Sequence, residues 1–258
     1  MSEDLGNRRQ VEGDHSGQGE GDDVVWQAMR LWQELRALRH SCRSRWARGP
    51  GRVDAMSKRI VIDLFDGTEE LDAVGPWEVL SYWTQAYPAD GWRVDLVTDD
   101  GQPRRCAKGL QVVPTAAKAA VPRPDLIVEP GGRGTRARLT DTDHLRWLQA
   151  ATESGALVSS VCTGALVLAA AGLLRGRPAT TYHARFEELL ALDPTIRPCP
   201  GQRWVDDGQI VTAAGVSAGI DMALHLVGRL ASPERARQVQ DGIEYHPVPP
   251  TWLTPTTH

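Results

Sequence analysis

The chain has 258 residues, 41% of them hydrophobic and 24% charged, which is enough for one α/β domain with a full core plus an extension. A formal net charge of −4 gives no global attraction to nucleic acid or to acidic lipid. No apolar stretch approaches the ~20 residues that span a bilayer, and the polar start lacks the apolar stretch of a secretory signal, so stable membrane insertion is not expected.

Residues 1–22 are Gly, Asp, Glu, Ser and Gln with few apolar side chains, too little to offset ordering, and are expected to be disordered. Over 23–57, Trp26, Met29, Trp32, Leu35 and Leu38 recur at helical spacing among arginines, which predicts a basic amphipathic helix and a linker. Gly49, Pro50 and Gly51 punctuate its end. "MSKRIVIDLF" from Met56 reads like a natural beginning, so the extension is expected to take no part in the chemistry. The functional domain is placed at 58–252, with 253–258 as a tail.

Within the domain, "RIVIDLF" is a buried strand. The turn "DGTEELDAVG" follows, with Thr68 as its expected cap, then a helix "PWEVLSYWTQA" opening on Pro76. "WRVDLVT" is a second strand, "LQVVPT" is short and extended, and "PDLIVEPGG" is a strand ending in a glycine loop. "TDTDHLRWLQAATESG" is a helix with a Thr or Asp cap and Gly155 at its end. "ALVSSV" is a strand and "TGALVLAAAGLL" a helix. "RPATTY" and "HARFEELLAL" form a further strand–helix pair, and "RWVDDGQIVTA" is a hairpin turning at Asp207-Gly208. "VSAGIDMALHLVGRL" and "SPERARQVQDGIEY" close the domain as helices. Alternation of strands and helices implies a mostly parallel sheet covered on both faces. Ligands of such sheets gather beyond the carboxyl ends of the strands.

The four cysteines, Cys42, Cys106, Cys162 and Cys199, never form C-x-x-C. A zinc ribbon or thioredoxin-type pair is therefore not expected, and scattered thiols fit a reducing cytoplasm. In "SSVCTGALVLAAAG", Cys162 stands where a strand turns into a helix, with Gly164 two residues later. That corner resembles a nucleophile elbow, although Ser160 stands where the elbow has a glycine. Free N–H groups at the helix start would favour the thiolate; the same local pattern also suits a buried, inert cysteine. Asp72 lies on the turn after the first strand, either as a proton-handling carboxyl or as an acid that merely favours a helix start. Gly131 and Gly132 end another strand, where a backbone N–H paired with that of Thr163 would make a small anion-stabilising pocket. His183, near a strand end, is a candidate substrate-binding or basic group, or else a surface histidine.

"DGTEELDAVGPWEVL", "EPGG", "SVCTGALVLAAAGLLRGRPATTYH", "VTAAGVSAGIDMALHLV" and "QVQDGIEYHPVPP" together resemble the DJ-1/PfpI superfamily (class I glutamine amidotransferase-like). The likeness runs from about Lys58 to Pro250, and within the superfamily it is most similar to the isonitrile hydratase branch. The resemblance implies a flavodoxin-like three-layer α/β/α sandwich, a homodimer and no cofactor or metal. It also implies Asp72, Cys162 and Thr163 as catalytic residues. The implied reaction is addition of water to an isonitrile, giving an N-substituted formamide. Cys162 would attack the terminal carbon while the nitrogen is protonated, forming a thioimidate, with Asp72 supplying that proton and Thr163 orienting the ligand.

Two departures from the family pattern, Asp66 and Glu129, add carboxylates near strand ends and imply a more polar pocket. "TTYH" replaces the "TTH" of many relatives, so no histidine stands at position 182. Alternatives are another thiol enzyme of the superfamily, glyoxalase-like or amidase-like, and a non-enzymatic redox-sensing or regulator-related ligand-binding domain. Thr163 after the cysteine argues against peptide hydrolysis. The stretch after "EYHPVPPTW" is expected to be too short for a DNA-binding region.

Overall fold

A computed structural model describes residues 57–247; the segment predicted over 1–22, all but Ser57 of the one predicted over 23–57, the end of the domain and the tail lie outside the described residues. Seven strands form the main sheet. They are β1 (Lys58–Asp63), β2 (Trp92–Thr98), β3 (Ala116–Ala117), β4 (Leu126–Glu129), β5 (Leu157–Val161), β6 (Trp204–Asp206) and β7 (Ile210–Ala213). Their spatial order is β6-β7-β5-β4-β1-β2-β3. All neighbours pair in parallel except β6 with β7, the predicted hairpin. The central strands carry continuous apolar runs because both faces of the sheet are covered.

Six helices supply that cover: α1 (Glu70–Ala86), α2 (Thr142–Glu153), α3 (Gly164–Ala170), α4 (Phe186–Leu192), α5 (Ala218–Leu230) and α6 (Pro233–Gly242). A short helical turn spans Thr135–Arg138. On one face Trp83 and Leu80 of α1, Met222 and Leu226 of α5 and Val239 of α6 pack on Ile60, Ile62 and Val128. On the other, Leu148 of α2, Leu166 and Leu168 of α3 and Leu189 of α4 pack on Ile127, Val158 and Ile210. Burying each such side chain is worth about 1.5–3 kcal/mol. The result is the expected flavodoxin-like α/β/α sandwich. No helix among the described residues is long and apolar enough to cross a membrane.

Local signals decide where several helices begin. The Asp141 carboxylate accepts the His144 N–H at 3.1 Å and caps α2, and Ser232 caps α6 in the same way. The start of α1 differs from expectation. It begins at Glu70, so Pro76 lies inside it rather than at its first position. Thr68 does not cap it: the Thr68 hydroxyl accepts the Phe65 N–H and donates to the Phe65 carbonyl, closing the turn on itself. Asp72 is thereby a first-turn residue of α1, fixed by helical geometry and not by a loop.

The order of strands places β1 between β2 and β4, so the chain departs on opposite sides of β1 and leaves a crevice at the carboxyl ends. The segments following β1, β4 and β5 meet there. They carry Asp72, Gly131-Gly132 and Cys162.

Candidate active site

Cys162 follows β5 directly and has φ of 58°, in the left-handed region that non-glycine residues rarely occupy. This conformation costs on the order of 1–3 kcal/mol and persists only when its surroundings enforce it. Here they do. The Cys162 N–H is shared between the carbonyls of Ala213 and Ala214, each at 3.0 Å, and its own carbonyl accepts the Thr181 hydroxyl at 2.9 Å. Gly164 completes the corner, because a Cβ at that position would collide with the Glu129 carbonyl of β4. The strand-to-helix corner is thus a true elbow, with the glycine after the cysteine needed and the one before it dispensable.

Gly131 and Gly132 hold the partners of the thiol in place. The Gly131 N–H donates to Asp72 Oδ2 at 3.0 Å, and the Gly132 N–H donates to Thr163 Oγ1 at 2.9 Å. A Cβ on Gly131 would stand 2.5 Å from Thr163 N and 2.7 Å from Asp72 Oδ2, so only glycine allows the three segments to approach. The expectation that these N–H groups form an anion pocket with Thr163 is corrected by these bonds. Both donors are committed to the catalytic candidates, and the loop positions side chains instead of facing a ligand.

The Asp72 carboxyl is fully buried; the Gly131 N–H binds its Oδ2, and the Cys162 thiol and Val216 N–H are near enough to lower its pKa. Burial raises its pKa from 3.8 to about 7, against the lowering effect of those groups. Burial also raises the Cys162 thiol, to about 12, and the negative charge of Asp72 adds to the rise. The Thr163 and Val216 N–H groups act on the sulfur in the direction expected of a helix start, lowering its pKa, but they are outweighed. The resting thiol is therefore protonated, contrary to the thiolate expected from the helix N-terminus, because desolvation penalises a buried charge more than two N–H dipoles favour it. Sulfur and carboxyl titrate as a coupled pair sharing a proton.

Val216 is the group that sequence reasoning missed. It has φ of 51°, a genuine outlier for a β-branched residue, and its N–H lowers the pKa of both the sulfur and the carboxyl. The only trace in the sequence is the glycine-flanked "AAGVSAGID", which reads equally well as packing.

A cleft of about 670 Å³ opens over the sulfur. Its inner lining includes Cys162, Thr163, Gly132, Val216 and Tyr182, and its outer lining carries the charged side chains Glu69, Lys108, Arg133, Arg136 and Arg185. A buried thiol, a proton-sharing carboxyl and two N–H groups at the end of a cleft can add a nucleophile to a small electrophile and move one proton.

Comparison with known proteins fits this geometry. Residues 58–229 match the DJ-1/PfpI family. The chain belongs to that family. It is 38% identical over 196 residues to the isonitrile hydratase of Pseudomonas putida, spanning 76% of this chain and 82% of the relative. It is 29% identical over 157 residues to the HTH-type transcriptional regulator GbdR of Pseudomonas aeruginosa, spanning 61% of this chain but 42% of the regulator. Among solved structures, Drosophila melanogaster DJ-1beta superposes with a TM-score of 0.66 at 25% identity, covering 73% of this chain and 98% of that one.

Other residues singled out in this DJ-1/PfpI domain fall outside the cleft. His183 is exposed, its ring 4.3 Å from that of Tyr182, and it does not line the cavity; Tyr182 does. Tyr182 reaches in because Gly215 leaves room for its ring. Asp66 and Glu129 do not make the pocket polar. The Asp66 carboxylate accepts the Arg105 N–H at 3.0 Å. Glu129 is buried beside His144 at 3.2 Å, on the far side of β4 from the thiol.

Asp63, Glu129 and His144 do form a buried trio with the donor types of a metal site. Its cation positions are filled by the protein itself. Lys118 Nζ lies 3.1 Å from both His144 Nδ1 and Asp63 Oδ1, and an Arg138 nitrogen lies 3.0 Å from Asp63 Oδ2. These ion pairs tie β1, β4, α2 and the Thr135–Arg138 turn together beneath the site.

Proposed function

We propose that the protein is a cysteine-dependent hydro-lyase that adds water to an isonitrile to give an N-substituted formamide. The observation that carries this is the buried Cys162–Asp72 pair, one proton between a thiol at about 12 and a carboxyl at about 7, in a chain 38% identical to an isonitrile hydratase.

An isonitrile carbon bears a lone pair and an empty acceptor orbital, so it must gain a nucleophile and a proton. The pair supplies both. As the sulfur attacks the terminal carbon, the S–H bond breaks and Asp72 carboxylate takes the proton. The Thr163 and Val216 N–H groups stabilise the sulfur's developing charge. Asp72 then returns the proton to the substrate, and the thioimidate R–N=CH–S–Cys162 balances with that proton on the carbon. In the second half, Asp72 accepts a proton from water as its oxygen adds to the same carbon. The nitrogen is protonated, the C–S bond breaks, and R–NH–CHO leaves as the thiol re-forms. Substrate and water sum to the formamide with no oxidant or cofactor.

A burial-raised carboxyl suits this double duty, since a base near neutral pKa both takes and gives a proton at physiological pH. Thr163 contributes its N–H to the sulfur, and its hydroxyl holds the Gly132 loop. The expected assembly is a homodimer, which light scattering checks. Purified protein given a simple alkyl isonitrile should form the corresponding formamide, followed by nuclear magnetic resonance. Product no greater than that of a Cys162→Ala blank overturns the proposal.

A further inference from the structure

The charged side chains of the cleft are not evenly matched. Lys108 pairs with both Glu69 and Glu70, so its side of the opening has no excess positive charge. On the opposite side Arg136 lies 2.6 Å from Glu188, and Arg185 lies 3.5 Å from the same carboxylate oxygen. Two guanidinium groups thus share one acid. Arg133 adds a third; its hydrogen bond is to the neutral Ala107 carbonyl, at 2.5 Å. Around the cleft four cations, Lys108, Arg133, Arg136 and Arg185, meet three carboxylates, Glu69, Glu70 and Glu188, and Arg133 is the one for which no carboxylate lies in ion-pair range among the described residues.

We infer that the substrate carries an anionic substituent, such as a carboxylate, which Arg133 binds with help from Arg136 and Arg185 while the reactive carbon reaches Cys162. This inference rests on the isonitrile reading and names its substrate class. A guanidinium presents paired N–H donors that match a carboxylate. A neutral alkyl isonitrile leaves Arg133 with only the Ala107 carbonyl and Arg136 and Arg185 sharing Glu188, and gains nothing from their charge. The cavity of about 670 Å³ has room for a substituent of amino-acid size between the arginines and the sulfur. Attraction at such an opening is partly screened, so it weakens as ionic strength rises.

The test compares isocyanoacetate with its methyl ester, nearly equal in size and reactive group but differing in charge. The expected kcat/KM ratio favours the acid by about tenfold at low salt, falls at high salt, and collapses toward one in Arg133→Ala, with Arg133→Lys recovering part of it. The difference should lie in KM more than in kcat. Equal turnover of acid and ester, unmoved by salt or by Arg133→Ala, overturns the inference and leaves the hydratase reading standing. Failure to turn over either compound sinks that reading instead. Anion selectivity is then read from binding, as protection of Cys162 from iodoacetamide by N-formylglycine relative to its methyl ester. Equal protection by both overturns the inference there too.

Discussion

Replacing Asp72 by Asn should make the protein more stable and far less active. The rise of the Asp72 pKa from 3.8 to about 7 means that the folded state holds its proton more tightly than the unfolded chain does. Between those two values the unfolded state has fewer protons bound, so stability falls as pH rises through that window. At 1.36 kcal/mol per decade, the folded protein is about 4 kcal/mol less stable above pH 7 than it would be with a neutral group there. Asn keeps an oxygen for the Gly131 N–H but places an amide donor in a buried site, which returns a part, leaving about 2 kcal/mol of net gain. For a domain of this size that is a rise in Tm of about 4–8 °C. Thermal melts of both proteins at pH 8 and pH 5 measure it, and the advantage of Asp72→Asn should shrink at pH 5, where the wild-type carboxyl is protonated when folded. A variant that melts at or below the wild type at pH 8, or a gap independent of pH, would refute the assignment of Asp72 as a desolvated carboxyl. Activity of the same variant should fall at least ~100-fold, as expected for loss of a positioned base.

The pH–rate profile should rise tenfold per pH unit below about 7 and level off above it, since Asp72 must be ionised to accept the thiol proton; a flat profile from pH 5 to 8 contradicts this. Because the charge on Asp72 raises the thiol pKa, Cys162 in Asp72→Asn should react with iodoacetamide faster than in the wild type at pH 8, and mass spectrometry of the labelled peptide reads the rates. Gly131→Ala forces a Cβ against Thr163 N and Asp72 Oδ2 and should cost roughly 2 kcal/mol or more of stability along with most activity; a fully active, equally stable variant argues against the close approach. Val216→Gly keeps the N–H while relieving the strained φ, so activity should stay within a few-fold, whereas a loss comparable to that of Cys162→Ala assigns the role to the Val216 side chain instead.

The sandwich was legible because its signals are local. β-branched runs bounded by glycine and proline mark the strands, and Asp141, Ser232 and Gly208 mark caps and a turn by side-chain chemistry that needs no distant partner. Cys162 was likewise placed at its corner by the strand-to-helix switch in "SSVCTGAL". The start of α1 misread because Pro76 is a strong local signal for a first position, while the turn that sets the true start is closed by Thr68 bonding back to Phe65.

What the linear chain determined, then, is the order of strands and helices and the residue types that reach the crevice, since propensity, capping and periodicity act over a few neighbours. The tertiary structure alone decided what those residues do to one another. It took the Gly131 and Gly132 N–H groups for Asp72 and Thr163, left His183 in solvent, brought in Val216 and gathered three arginines at the cleft. It also reversed the expected state of the thiol. Desolvation and charge pairing depend on which groups the fold brings within a few ångströms, and Asp72 and Cys162 are remote in sequence.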